Sequence, residues 1–261
     1  MSEKRKEKIL SALARNFSSK RAFDANSLYK VLMDISLRVD VSKKILDLGC
    51  GSGRILAPLA KLYPKKQFVG LDLSTRMLRD LSKRIKEENL KNVSMIKDDF
   101  NNGWVNDFNN DKFDLINFFQ NIHFVDDLPG FVNRLLSILT DRGRVIVAST
   151  NHEQFYSLPY CKASSSVLKR ELKRTPDEPR IIEEFDLKGF RLANRITVDV
   201  KRKFENESAL QQWLSSKPFS VLAYLDEDKF DSWQKKFCEI ENWKKEILVD
   251  KMVILTFERV N

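Results

Sequence analysis

Long apolar runs are missing from this sequence. No stretch approaches the roughly 18 residues that a membrane-spanning helix needs, so no membrane partner is expected. The first eight residues, Met1 to Lys8, are mostly charged and lead into only a short apolar patch, unlike a secretory leader, which points to a cytoplasmic protein. Cysteine is scarce too. Cys50, Cys161 and Cys238 are far apart, which excludes a disulfide framework and matches no metal-ligand spacing, so no metal is expected and the thiols are read as reduced. Histidine is limited to His123 and His152, leaving two candidates for imidazole chemistry. Glycine numbers only 8, yet three glycines crowd into five positions, at 49, 51 and 53.

What is present is an ordinary globular composition, 42% hydrophobic and 32% charged, over 261 residues, enough for one large α/β domain with a modest cap. The net charge of +9 raises the question of nucleic acid. The basic surplus is 4 over residues 1–40, 4 over 41–150 and 1 over 151–261, so the half expected to set specificity is nearly neutral. A phosphate-tracking groove needs clustered cations, and this spread reads instead as a solvated basic surface.

From about residue 44 to residue 150, short β-branched runs alternate with helical periodicity, the pattern of a parallel sheet with crossover helices. The expected strands are Ile45 to Leu48, Phe68 to Asp72, Val93 to Ile96, Leu115 to Phe118 and Val145 to Ala148. Ser74 is placed to cap a helix carrying Met77, Leu81 and Ile85. Leu128, Phe131, Val132, Leu135, Leu136 and Leu139 follow i, i+3, i+4, i+7 spacing, with Asp141-Arg142-Gly143 expected to turn the chain. Helices are also expected over 4–15 and 25–37, linked by Phe17 to Asp24 and flanking the cofactor mouth. After residue 150 the expectation is a helical segment near 153–173, a loop over Thr175 to Pro179 and a long strand from Arg191 to Phe204. Helices over Ser208 to Ser215 and Asp226 to Trp243 and a closing strand from Lys251 to Arg259 follow. The chain divides into a helical lid segment, 1–40, a core, 41–150, and a remainder of the same domain, 151–261, that caps the substrate.

The segment Ile45-Leu46-Asp47-Leu48-Gly49-Cys50-Gly51-Ser52-Gly53 sets a glycine-rich turn directly after a buried strand, with helical residues following. Glycines there let the backbone approach a ligand closely. A dinucleotide fingerprint requires Gly-x-Gly-x-x-Gly, and Arg54 occupies the position of its third glycine. No Lys-Ser or Lys-Thr pair follows, which argues against nucleoside triphosphates. Asp72 closes the second strand, where a carboxylate can accept both ribose hydroxyls, and Asp47 closes the first, suited to a cationic amino group. Together they describe a nucleoside that carries an amino acid.

At this point the chain resembles the class I S-adenosylmethionine-dependent methyltransferases over Lys44 to Ser149. The resemblance implies a Rossmann-like, seven-stranded, mostly parallel sheet of order 3-2-1-4-5-7-6, its last strand antiparallel, with S-adenosyl-L-methionine as cofactor. By that likeness the cofactor residues are Asp47, Gly49, Cys50, Gly51, Gly53, Asp72 and Leu73, with Asp99 at the adenine amino group, Phe100 against the ring and Asn117 along the methionine. Ile122-His123-Phe124-Val125 resembles the Leu-His-Trp segment of small-molecule methyltransferases, which puts His123 near the transferred methyl group as the catalytic candidate.

Absences narrow the acceptor. Asn117-Phe118-Phe119-Gln120 stands where base and glutamine methyltransferases carry a Pro-Pro-Tyr turn, the rRNA Asn-Leu-Pro-Tyr pattern is missing, and no cysteine lies near 115–125. A small-molecule acceptor is favoured, methylated on oxygen, a carboxylate among the options. Outside the core the chain resembles, more weakly than within it, the group containing trans-aconitate and malonyl-carrier-protein methyltransferases, a likeness carried by Phe17 to Tyr29 and by Phe204 to Leu214 as lid segments. His123, Phe124, His152, Tyr156, Tyr160 and Trp213 are the candidates for the substrate side, the expected state is a monomer or homodimer, and a lid Arg or Lys would orient a carboxylate. The alternatives are a tRNA or rRNA methyltransferase and a non-catalytic regulatory subunit that binds adenosylmethionine.

Overall fold

A computed structural model describes residues 25–102, 104–108, 111–242 and 244–260. The expected helix over 4–15 and the link from Phe17 to Asp24 lie outside the described residues. Alternating apolar residues build one seven-stranded sheet, β1 (Lys44–Leu48), β2 (Gln67–Leu71), β3 (Val93–Ile96), β4 (Phe113–Phe119), β5 (Leu139–Ser149), β6 (Phe190–Arg202) and β7 (Ile247–Arg259), in the order β3-β2-β1-β4-β5-β7-β6. β1 to β5 pair in parallel, while β7 runs antiparallel to both β5 and β6. The sheet therefore takes strands from both sides of residue 150, as the order expected from the resemblance requires.

Side-chain alternation divides the core into two faces. Leu46, Leu48, Ile116 and Phe118 point to one cluster with α4 (Leu128–Ile138), where Phe131, Val132 and Leu135 are fully buried. Ile45, Phe68 and Leu115 point to the other, covered by α1 (Ala25–Asp40), α2 (Leu56–Leu62) and α3 (Thr75–Glu87). The helix expected over 25–37 is α1. Its Val31, Ile35 and Val39 are buried on this sheet face, and Asp34 accepts a hydrogen bond from Asn194 of β6 at 3.0 Å, so the described part sits under the sheet and not at the cleft. Ser74 caps α3, accepting the Met77 N–H at 3.3 Å, as expected.

Differences from expectation have local causes. Asp141-Arg142-Gly143 is no turn ahead of a strand but lies inside β5: Leu139 already pairs with Phe113 and Arg144 with Leu115, so the intervening residues are absorbed as a bulge. The segment expected as one helix near 153–173 is three, α5 (His152–Phe155), α6 (Pro159–Lys162) and α7 (Ser165–Arg174), broken where Pro159 enters and Ser164 caps. The loop expected over 175–179 is short, because Asp177 caps α8 (Glu178–Asp186), a helix not anticipated, whose Ile181 and Phe185 join the first core. α9 (Glu207–Ser215) and α10 (Glu227–Ile240) fall where expected, Trp213, Leu214, Trp233 and Phe237 closing a third cluster with Phe155 and Leu158. That cluster is a helical cap over the carboxyl edge of β4 and β5.

Leu135→Ala, at a fully buried position of α4, is expected to lower unfolding free energy by about 2–5 kcal/mol in urea titrations. Leu187→Ala, 70% exposed, is expected to stay within about 0.5 kcal/mol of the parent protein.

Candidate active site

The carboxyl ends of β1, β2 and β4 open into a cleft. The chain leaves β1 through Gly49, Gly51 and Gly53, all at positive φ (67°, 56° and 78°), a conformation that a Cβ disfavours. A Cβ on Gly49 would stand 2.3 Å from Asn121 Nδ2, whereas one on Gly51 would meet only Met77 Sδ at 4.0 Å. Gly49 is thus held by close packing, and Gly51 borders open space.

Asp72 governs the turn. Its Oδ2 accepts the Gly51 N–H at 2.8 Å and its Oδ1 the Ser74 N–H at 2.8 Å, tying the loop after β1 to the cap of α3. Burial raises its pKa and these two bonds oppose the shift. Asp47, 4% exposed and lining the same cleft, has its pKa pushed up to about 8 by burial and by the neighbouring Asp72, with Arg54 opposing. Cys50, in the same turn, is pushed up by burial and by both carboxylates, so it stays a thiol.

Of the residues expected at the cofactor, Asp47, Gly49, Cys50, Gly51 and Asp72 line this cleft, and His123 and Phe124 join them across it. Gly53, Leu73, Asp99, Phe100 and Asn117 do not line it. Asp99 is buried, its Oδ1 accepting from Asn101 N and Nδ2, both at 3.0 Å. Phe100 is half-buried and packs edge-on to Phe118 with ring centres 5.2 Å apart, against the core. Asn117 stands beside Asp47 in the sheet register, 1% exposed, with an Oδ1 that has no hydrogen-bond partner.

A second cavity adjoins the first under the helical cap. Gln120, His123 and Ser220 line both. Gln120 holds this partition at φ 52°, left-handed backbone that costs a non-glycine residue about 1 kcal/mol. Its Oε1 accepts from Arg54 Nη2 at 3.2 Å and its Nε2 donates to Asp250 Oδ2, while Thr150 Oγ1 donates to Asp250 Oδ1 at 3.2 Å. A polar relay thereby runs from the glycine turn to β7. Deeper in, Arg174 donates from Nε and Nη2 to Glu171 at 2.5 and 2.9 Å and from Nη2 to Ser220 Oγ at 2.8 Å. Tyr160 donates to the same Glu171 at 3.2 Å, and its ring stacks on Phe219 at 3.9 Å.

Of the substrate-side candidates, His123 and Tyr160 face this cavity. His152 lines neither: its Nε2 lies 2.8 Å from the Thr175 carbonyl, and its N–H donates to Asp177, so it braces the start of α8. Tyr156 is 59% exposed and Trp213 is buried in the cap, and neither lines either of these two cavities. Sequence reasoning missed Gln120, Arg174, Thr175, Ser220 and Asp250. Gln120 carried a signal, its place just past the fourth strand, but nothing local marked Asp250, 130 residues away.

A profile of the methyltransferase domain matches residues 40–213. A malonyl-[acyl-carrier protein] O-methyltransferase of Legionella pneumophila is 31% identical over 151 residues, 54% of this chain and 50% of the relative. A tRNA (guanine-N(7)-)-methyltransferase of Thermotoga maritima is 40% identical over 58 residues, 22% of this chain and 18% of the relative. The chain thus spans about half the length of the first and a fifth or less of the second. A SAM-dependent methyltransferase from Geobacter sulfurreducens, solved with S-adenosyl-L-homocysteine, shares the fold at a TM-score of 0.63 and 15% identity, over 97% of this chain and 98% of that one.

The raised pKa of Asp47 links stability to pH. Its proton is held more tightly in the folded chain than in the unfolded one, so its contribution is complete below about pH 4 and is lost as pH rises to about 8. Urea midpoints of the ligand-free protein are expected to fall over that window, and Asp47→Asn, which cannot ionise, is expected to flatten the fall.

Proposed function

The chain belongs to the methyltransferase-domain family, and on that premise we propose that it transfers a methyl group from S-adenosylmethionine to an oxygen of a small-molecule acceptor. The observation that carries the proposal is the pair of adjoining cavities, one built on the glycine turn with Asp47 and Asp72, the other under the cap, meeting at Gln120 and His123. The first fits the cofactor by its donor set. Asp72 keeps lone pairs for ribose hydroxyls beyond those used by Gly51 and Ser74, Asp47 offers a carboxyl to a cationic amino group, and Gly51 leaves the backbone open to approach. Asp99 for the adenine amino group, Phe100 for the ring, Asn117 for the methionine, and Gly53 and Leu73 beside them belong to this proposal, although none of the five borders the cleft.

When bound, the cofactor would supply a methyl group on a sulfonium, already electrophilic and open to in-line displacement by an oxygen nucleophile. The protein therefore has to align the acceptor, exclude water and take up a proton where the nucleophile is a neutral hydroxyl. His123, on the wall shared by both cavities, is the group assigned to accept that proton. The buried cap, with Phe155, Tyr160 and Phe219 at the second cavity, excludes water.

The relative acting on a carrier-bound malonyl group supports oxygen as the acceptor atom. The tRNA-modifying relative matches about a fifth of the chain, and an acceptor space enclosed by a cap suits a small molecule better than a polynucleotide. No helix among the described residues is long and apolar enough to cross a membrane.

Calorimetry is expected to find S-adenosylmethionine binding that Asp72→Ala weakens at least about tenfold, the loss of two charge-assisted hydrogen bonds. Incubation of a cell extract with methyl-labelled cofactor is expected to place label in the small-molecule fraction, and His123→Gln is expected to lower kcat with little change in cofactor affinity. Label in RNA alone, or binding with no transfer to any fraction, would overturn the proposal in favour of an RNA-modifying or a regulatory protein.

A further inference from the structure

The charges around the second cavity are unevenly matched. Glu171 is answered by Arg174, whose Nε and Nη2 point at it and at Ser220. Asp250 is not answered by a cation: its oxygens accept from the Gln120 amide, the Thr150 hydroxyl and the Lys251 backbone N–H, and no Lys or Arg lies within ion-pair distance among the described residues. An entering carboxylate would face one uncompensated negative charge beneath the cap.

The hydrogen-bonding groups left over call for partners that both donate and accept. Thr175 borders the cavity, is 4% exposed, and its Oγ1 has no hydrogen-bond partner. A buried hydroxyl with no partner carries an unmet desolvation cost, which a ligand hydroxyl would relieve. Ser220 Oγ accepts from Arg174 and still has its own proton to give, and Asp250 retains lone pairs to accept one. A carboxylate can only accept; a hydroxyl does both.

We infer that the second cavity is the acceptor subsite and that it takes an uncharged hydroxyl compound, a phenol or a polyol, in preference to a carboxylate. This rests on the reading of the neighbouring cleft as the cofactor site. The preference departs from the carboxylate left open by the sequence, and it gives His123 a task on the shared wall, since a hydroxyl, unlike a carboxylate, must give up a proton to be methylated. The stacked rings of Tyr160 and Phe219 form a flat flank for either kind of carbon skeleton.

The test is saturation-transfer NMR on the full chain with S-adenosylhomocysteine present, using two matched probe pairs at millimolar concentration: phenol against benzoate, and myo-inositol against glucuronate. At least one hydroxyl probe is expected to bind at least about tenfold more tightly than its carboxylate partner, the scale of one unfavourable charge contact. The pair that responds tells a phenol from a polyol. Thr175→Val, which keeps the side-chain shape, is expected to weaken that probe roughly threefold to tenfold, the worth of one hydrogen bond, while leaving the affinity for S-adenosylhomocysteine unchanged. Equal or tighter binding of the carboxylates, no binding of either hydroxyl probe, or no effect of Thr175→Val would overturn the inference while the cofactor reading stands. Failure of S-adenosylhomocysteine itself to bind would overturn both.

Discussion

The carboxylate of Asp72 accepts backbone N–H groups from two connections at once, Gly51 in the turn after β1 and Ser74 at the start of α3. A buried carboxyl group is costly unless its lone pairs are used, and these two bonds at 2.8 Å offset part of the cost that burial imposes. The geometry they impose reaches further than the pair itself. With Gly51 fixed against the end of β2, the turn can pass through three left-handed glycines, and Asp47 comes to line the cleft close enough for the Asp72 carboxyl to add to the rise in its proton affinity that burial imposes. A cleft with two crowded carboxyls and an exposed backbone is suited to a ligand carrying a cationic amino group and vicinal hydroxyls.

Around that constraint the fold supplies walls. The parallel strands deliver Asp47, Asp72 and Gln120 to one edge of the sheet, which is where ligands bind in open α/β folds. The antiparallel β7 adds Asp250 from the far end of the chain, and the cap of α5 to α7, α9 and α10 closes over the result. Gln120 is where these contributions meet: its amide is oriented by Arg54 on one side and Asp250 on the other, and its left-handed backbone turns the chain away from β4. A change of charge or shape in the cleft at the glycine turn is thus connected by hydrogen bonds to the second cavity.

The first five strands, the glycine turn and the helices of 75–87 and 128–138 were legible because local periodicity and capping decide them. The order of the sheet came from resemblance, since periodicity alone does not fix which strands are neighbours. α8 was missed although Asp177, Pro179, Ile181 and Phe185 carry its cap, its permitted early proline and its buried stripe; the density of turn-forming residues at 175–179 outweighed them. The site was legible in its nearer half. Asp47, the glycines and Asp72 are set by strand ends, whereas His152, a candidate for its place after the fifth strand, braces α8, and Trp213, a candidate as a lid aromatic, fills the cap. Arg174, Thr175, Ser220 and Asp250 are brought together by tertiary packing across up to about a hundred residues, a distance over which one sequence carries no pairing signal.

The account stands on two cavities that meet at Gln120 and His123, one for the cofactor and one for the acceptor. The measurement that tests this most directly is a crystal structure of the protein with S-adenosylhomocysteine. The account predicts ribose hydroxyls on Asp72, the amino group at Asp47 and the sulfur facing the partition formed by Gln120 and His123. A ligand bound elsewhere, or in the cleft with its sulfur turned away from the second cavity, would contradict it.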